Sequence, residues 1–292
     1  MEYTYKGKDY PKDLNIKHQE AFTTLSKDPL DITRREFDHL FDIPTEEFCA
    51  DEEQLILWEL GKQWGKSAEQ LESDTTVNQF IIRNTLITLL SSYSFSSFDV
   101  VLEVLRQSED IIRFNLPDYN GFTYILPILS IVFEYEPKQL EQFLLEEGLT
   151  DYSKRIVADL LARMGCDTET KTEAYNKKVH DELSGIFSRV LDAYISDYPT
   201  GNICDKYVVS HVVKAIVNAG LEELSEQLKT VYSKDMVDKK ICGELDTNLS
   251  VMKDLGCADL NYIETGIYPL MFLPTYLIWD NADNPDFGEQ YM

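Results

Sequence analysis

The sequence is short of helix breakers, of basic side chains and of any pattern that names a chemistry. Thirteen glycines and ten prolines in 292 residues leave few breaks. Helix formers dominate the rest, so the expectation is mostly helix. Lys and Arg total 27 against 52 Asp and Glu, a net charge of −25 with a pI near 4.4. Nucleic acids are polyanions held chiefly by such cations, and anionic membrane surfaces attract the same ones. Neither is expected as a partner. The five cysteines, Cys49, Cys166, Cys204, Cys242 and Cys257, are odd in number and form no C-x-x-C. They read as reduced, mostly buried thiols of a cytoplasmic protein. The opening residues MEYTYKGKDYPKD hold no apolar signal core. The longest apolar stretches, 124–133 and 267–279, contain proline. Both are shorter than the roughly 20 residues a spanning helix needs, so no membrane anchor is expected.

What is present is helical periodicity, clearest from Tyr207 to Asp246. In YVVSHVVKAIVNAG the residues Val209, Val212, Val213 and Ile216 fall on one face. In LEELSEQLKTVYS the residues Leu221, Leu224, Leu228, Val231 and Tyr232 do the same. Only Gly220 separates the two runs, and glycine ends a helix at little cost. The joint predicts a hairpin of two helices folded back on each other. Neither helix can bury its apolar face alone, so further units must stack on this one. Upstream pairs are expected at Phe80–Tyr93 with Ser97–Gln107, at Phe122–Tyr135 with Lys138–Glu147, and at Tyr152–Met164 with Thr172–Ser196. Pro137 suits a helix start. Ile156, Val157, Leu160, Leu161 and Met164 form one predicted inner stripe. Val179, Leu183, Ile186, Phe187, Val190 and Tyr194 form another. First helices near 80, 122, 153 and 207 give spacings of about 42, 31 and 54 residues, loosely the 40–47 of HEAT-type repeats.

The predicted class is all-α, an α–α superhelix of HEAT-like helix pairs with an irregular aromatic C-terminal extension. Three segments follow. Residues 1–76 form a helical cap, with helices at Leu14–Leu25 and Ile32–Phe41 and a third capped by Asp51. Residues 77–256 are the array. Residues 257–292 hold four tyrosines, two phenylalanines, a tryptophan and three prolines, and are expected as an extended tail packed on the array.

The stretch Phe80–Met252, roughly three fifths of the chain, resembles a family of uncharacterised bacterial proteins built from HEAT-like helical repeats. The resemblance rests on LITLLSSYSFSSFDVVLEVLR, on YILPILSIVF and above all on IVNAGLEELSEQLKTVYSKDMVDKKICGELD. It implies a right-handed α–α superhelix. Some relatives carry a cysteine- and histidine-rich metal-binding tail, whereas this tail is aromatic and lacks histidine. The family brings no activity, cofactor or site residue to this chain.

Each candidate for chemistry has a plainer reading. Gly61-Lys-Gln-Trp-Gly-Lys-Ser67 looks like a phosphate-binding loop, but it has three residues between its glycines where four are needed and follows a helix, not a strand. It reads as a helix C-terminus. Asp38, His39 and Asp42 would need a further ligand from elsewhere to hold a metal, and read as a solvated face. His180-Asp181-Glu182 offers a base beside carboxylates, or a histidine flanking the core. Cys204 and His211 lie seven residues apart, roughly 10 Å of helical rise, too far for a thiol–base pair with Asp205. Asn248-Leu249-Ser250 is a chance glycosylation sequon. The acidic runs, among them Asp51-Glu52-Glu53 and Glu222-Glu223, read mainly as first-turn or solvent-face charges.

The functional expectation is therefore a non-catalytic, cytoplasmic, bacterial interaction scaffold. Its acidic surface, with Glu222, Glu223 and Glu226, would bind a basic protein or peptide segment. Tyr268, Tyr276 and Trp279 of the tail are the aromatic candidates for that contact. No cofactor or metal is called for. The alternative is an enzyme, a hydrolase or lyase with a carboxylate and histidine site in the concave groove, and it requires His180 or His211 beside two or more carboxylates.

Overall fold

The computed structural model describes residues 5–28, 31–40, 42–91, 98–116, 136–164 and 173–255. The aromatic tail and the expected helix at 122–135 lie outside the described residues. Among the described residues the secondary structure is helical throughout, with no strand. The chain divides into two compact units.

The first unit contains Lys8–Val104 and 110–116. Its helices are α1 (Gln19–Leu25), α2 (Arg34–Leu40), α3 (Thr45–Gln63), α4 (Ala68–Ser73), α5 (Ile81–Ser91), α6 (Phe98–Leu105) and α7 (Glu109–Asn115). The 19-residue α3 is the central rod. It packs on α5, which also receives α1. Ile16, Leu25, Phe37, Leu40, Phe48, Leu55 and Ile81 close one apolar cluster, with Trp58 edge-on to Phe22 at 5.9 Å. The sequence reading starts α3 at Asp51. The helix instead begins after Pro44, whose fixed φ sets up the first turn. Asp51 thus lies inside α3 and is buried, and its carboxylate accepts from the backbone N–H groups of Lys17 and His18, both at 2.8 Å. Asp51 therefore caps the chain entering α1. The polar stretch 67–76 holds α4, closed by a reciprocal capping box between Ser67 and Gln70.

The second unit contains 136–255, with Leu105–Glu109. Its helices are α8 (Pro137–Leu145), α9 (Asp151–Met164), α10 (Glu173–Asp197), α11 (Lys206–Asn218), α12 (Ser225–Ser233), α13 (Lys239–Cys242) and α14 (Leu245–Leu255), with a 3-10 turn at Glu222–Leu224. Pro137 occupies the first helical position of α8, as its missing N–H favours. The inner stripes of α10 and α11 are buried as their spacing predicts. So is that of α9 except Met164, its last residue, which is only half-buried. Gly220 takes φ +65° and ends α11, with its N–H bonded to Val217 O.

The expected hairpin differs from what forms. The 3-10 turn delays α12 to Ser225, so Leu221 and Leu224 are buried ahead of that helix. The closest packing of α11 is on α9 and α13, and that of α12 is on α10 and α14. Helices thus pack mainly on the helix two places away. One row runs α9, α11, α13, and a second runs α8, α10, α12, with cross-contacts α8 to α9 and α10 to α11. Alternation arises because each helix has a wide apolar stripe that one neighbour cannot cover.

The start of α11 is set by Asp205, whose carboxylate accepts from Tyr207 N at 3.0 Å and Val208 N at 2.9 Å. Asp205→Ala is expected to cost about 1 kcal/mol, the usual worth of an N-cap, read as a lowered urea midpoint.

Candidate interaction surface

The row α8, α10, α12 and the 3-10 turn before α12 carry Glu222, Glu223 and Glu226, the acidic residues picked out in the sequence. Glu222 and Glu223 project from the 3-10 turn, and Glu226 from the first turn of α12. All three are exposed. His180 Nε2 lies 3.0 Å from Glu223 Oε1, tying α10 to the turn. Lys229 Nζ lies 2.6 Å from Glu226 Oε1. Gln227 Nε2 donates to Ser188 O at 3.0 Å and to Asp192 Oδ1 at 2.6 Å, tying α12 to α10. Arg189 makes a two-bond fork to Glu141 of α8, at 2.7 and 2.8 Å. Exposed pairs of this kind contribute little to stability, so an incoming cation can displace them at small cost. Tyr268, Tyr276 and Trp279 lie outside the described residues.

The chemical candidates occupy structural posts. Cys204 is buried, its Sγ 3.9 Å from Tyr194 O, and burial pushes its thiol up to about 12, the Asp197 charge adding to this. A thiol so held supplies no thiolate near neutral pH. His211 is half-buried on α11, and burial, then the Arg155 charge, lowers its pKa against the opposing pull of Asp159 and Asp151. Beside His180, Asp181 pairs with Lys177 at 2.8 Å. His39 and Asp42 form one exposed pair at 3.2 Å. Among the described residues no group of three or more His, Cys, Asp or Glu is placed to hold a metal ion.

The phosphate-loop lookalike is a helix end. Trp64 N bonds back to Leu60 O at 2.9 Å, Gly65 takes φ +73° and Ser67 opens α4. Lys62 sits over the Trp58 ring at 3.8 Å and donates to Thr76 O at 2.6 Å, and Lys66 pairs with Asp74 at 2.6 Å. Asn248 is also committed. Its amide donates to Cys242 O at 2.7 Å and to the Tyr232 hydroxyl at 2.8 Å, so the sequon nitrogen is spent inside the fold.

Buried charges on α9 and α3 escape the sequence reading. Lys154 of α9 is fully buried, and its ammonium donates to Leu144 O at 2.8 Å, Glu146 O at 2.6 Å and Ile203 O at 2.5 Å. Tyr194 shares Leu144 O at 2.7 Å. One cation thus ties the end of α8 to the loop before α11. Burial lowers Lys154 to about 8, which leaves it protonated at pH 7. The signal was present: Lys154 falls three residues before Val157 and seven before Leu161, on the buried stripe of α9. On α3, Glu52, Glu59 and Gln63 are all fully buried along one stripe with Ile56 and Leu60. Glu59 accepts from Asn78 N at 2.7 Å, and Gln63 exchanges amide bonds with Asn115. Glu52 Oε1 accepts from the Thr88 hydroxyl, while Oε2 has no hydrogen-bond partner among the described residues. The expectation that Asp51 and Glu52 are first-turn or solvent-face charges is corrected: both lie inside, because α3 starts six residues before Asp51.

Neither the family models, nor the curated proteins, nor the solved structures searched yield a match to this chain.

Proposed function

We propose that this protein is a helical-repeat interaction scaffold whose acidic face on α10, the 3-10 turn and α12 binds a basic protein segment. The observation that carries this reading is the exposed run Glu222, Glu223 and Glu226, held on the 3-10 turn and the first turn of α12. Two of its carboxylates are occupied only by surface pairs, and Glu222 has no ion-pair partner among the described residues. A net charge of −25 favours the approach of a cationic partner over long range. The two-row packing of α8–α13 supports an α–α superhelix of HEAT-like pairs, the architecture implied by the resemblance to bacterial repeat proteins. Titratable groups inside the unit are engaged in holding the fold, which favours a scaffold over the hydrolase or lyase reading. We place the protein in the bacterial cytoplasm. Among the described residues no helix is long and apolar enough to cross a membrane.

The test is titration with a Lys- and Arg-rich peptide at rising salt. Affinity is expected to fall steadily with salt. The triple variant Glu222→Lys, Glu223→Lys, Glu226→Lys is expected to bind at least tenfold more weakly at low salt. Equal binding by the triple variant would move the site elsewhere.

A further inference from the structure

We propose that the segment Lys8–His18 is the resident occupant of a second peptide groove, along α3 and α6, and that this groove accepts an extended aromatic-and-cationic segment of a partner protein in its place. The inference goes beyond the scaffold reading, because it concerns a different surface in the other unit.

The segment reads KDYPKDLNIKH and forms no helix. It is pinned at two ends. At one, the Tyr10 ring lies 5.8 Å from the Trp64 ring, its hydroxyl donates to Glu103 Oε1 at 2.5 Å, and Lys8 Nζ lies 3.9 Å from Glu103 Oε2. At the other, the Lys17 and His18 backbone N–H groups donate to Asp51 at 2.8 Å. The Lys17 ammonium pairs with Glu47, and His18 Nε2 lies 3.1 Å from the same carboxylate. The segment runs back along α3 from Trp64 to Asp51, with bends at Lys12, Asp13 and Lys17. Asp51 and Trp64 are separated by roughly 20 Å of helical rise, and Tyr10 to Lys17 spans about the same length when extended.

The receiving side is shaped for this occupant. A Cβ at Gly61 would stand 2.6 Å from Tyr10 Cβ, so glycine is what lets the segment lie close. Glu103 and Asp51 are buried carboxylates, 0% and 5% exposed, and both are met by the segment. The occupant itself commits little to the core. Ile16 is its one buried residue and Leu14 packs partly, while the rest is half-buried or exposed. It is held by polar and aromatic contacts at its two ends and by Ile16 and Leu14 in the apolar cluster between them. Peptides bind clefts in this way, with anchors for specificity and an extended backbone between them. A segment that buries so little apolar surface belongs to the low-stability end of a fold. Its departure would uncover Glu103 and Asp51, which favours replacement by a chain with the same pattern: an aromatic hydroxyl beside one cation and a second cation about seven residues on.

The experiment uses the full chain and a fluorescein-labelled synthetic peptide of the sequence Lys8–His18. Wild type is expected to bind it weakly, since the groove is filled. Tyr10→Ala loosens the resident and is expected to raise affinity at least tenfold. Adding Gly61→Ala, which blocks the Tyr10 position for any occupant, is expected to remove that gain. A peptide with alanine for tyrosine is expected not to bind. Should Tyr10→Ala fail to fold, Lys17→Ala with His18→Ala loosens the other end and is read in the same way. A folded loosened variant that gains no affinity would overturn the proposal, as would a gain that survives Gly61→Ala. Sedimentation showing wild type as a dimer that exchanges this segment would also overturn it, by making a second copy the occupant.

Discussion

Lys154→Met is expected to destabilise the second unit by roughly 3 kcal/mol, although it replaces a buried charge by an apolar side chain of similar length. The reason lies in what remains behind. The carbonyls of Glu146 and Ile203 each lose a charged donor, while Leu144 O keeps the Tyr194 hydroxyl, and an unsatisfied buried acceptor costs about 1–3 kcal/mol. Relief of the lysine's own desolvation offsets part of that sum. Urea unfolding of both chains at pH 7 gives the difference, and equal midpoints would contradict the clamp. The pH dependence carries a sign. Burial holds Lys154 at about 8, below its ordinary 10.5. Below pH 8 the amine is protonated in both states. Between about 8 and 10.5 the unfolded chain binds more protons, so stability rises with pH. Wild type should therefore gain on Lys154→Met across that window. The raised Cys204 thiol acts oppositely above pH 9, and the Lys154 charge itself acts on it, so the comparison is read between about pH 8 and 9.

Glu52→Gln is expected to stabilise the first unit by about 2 kcal/mol at pH 7. Burial, then the Asp51 charge, pushes Glu52 well above the ordinary carboxyl range, against the Thr88 hydrogen bond. Its folded form binds more protons than its unfolded form once the pH exceeds about 4.5. Its contribution is complete below that value and is lost as pH rises. Glutamine keeps the shape and the acceptor for Thr88 without the ionisation. The gain should therefore shrink as the pH falls to about 4. A variant no more stable than wild type at pH 7 would mean that Oε2 is solvated in solution.

Helix faces were legible because burial follows a 3.6-residue period wherever apolar residues fill it. Val209, Val212, Val213 and Ile216 needed nothing more, nor did the turn at Gly220. Which helix covers which face was not legible. The hairpin expected at Gly220 instead sends α11 toward α9 and α12 toward α10, since periodicity gives a direction and no partner. The buried charges were missed for a related reason. Lys154 and Glu52 interrupt stripes that are read by their apolar members, and what satisfies Lys154 is backbone carbonyls from distant loops. The helix expected at Leu14–Leu25 begins only at Gln19, and the post of Lys8–His18 on α3 is visible only once Gly61 and Trp64 are placed in space. Of the interaction residues, Glu222, Glu223 and Glu226 are exposed where their polarity suggested.

The most direct measurement on the scaffold itself is capture from native lysate on tagged wild type and on the Glu222→Lys, Glu223→Lys, Glu226→Lys variant, each at low salt and near 0.5 M. At the higher salt, charge interactions are screened within a few ångströms. The predicted result is a basic protein held by wild type at low salt, released at high salt and absent from the variant under both conditions. A partner retained equally by the variant, or held unchanged at high salt, would contradict an acidic binding face.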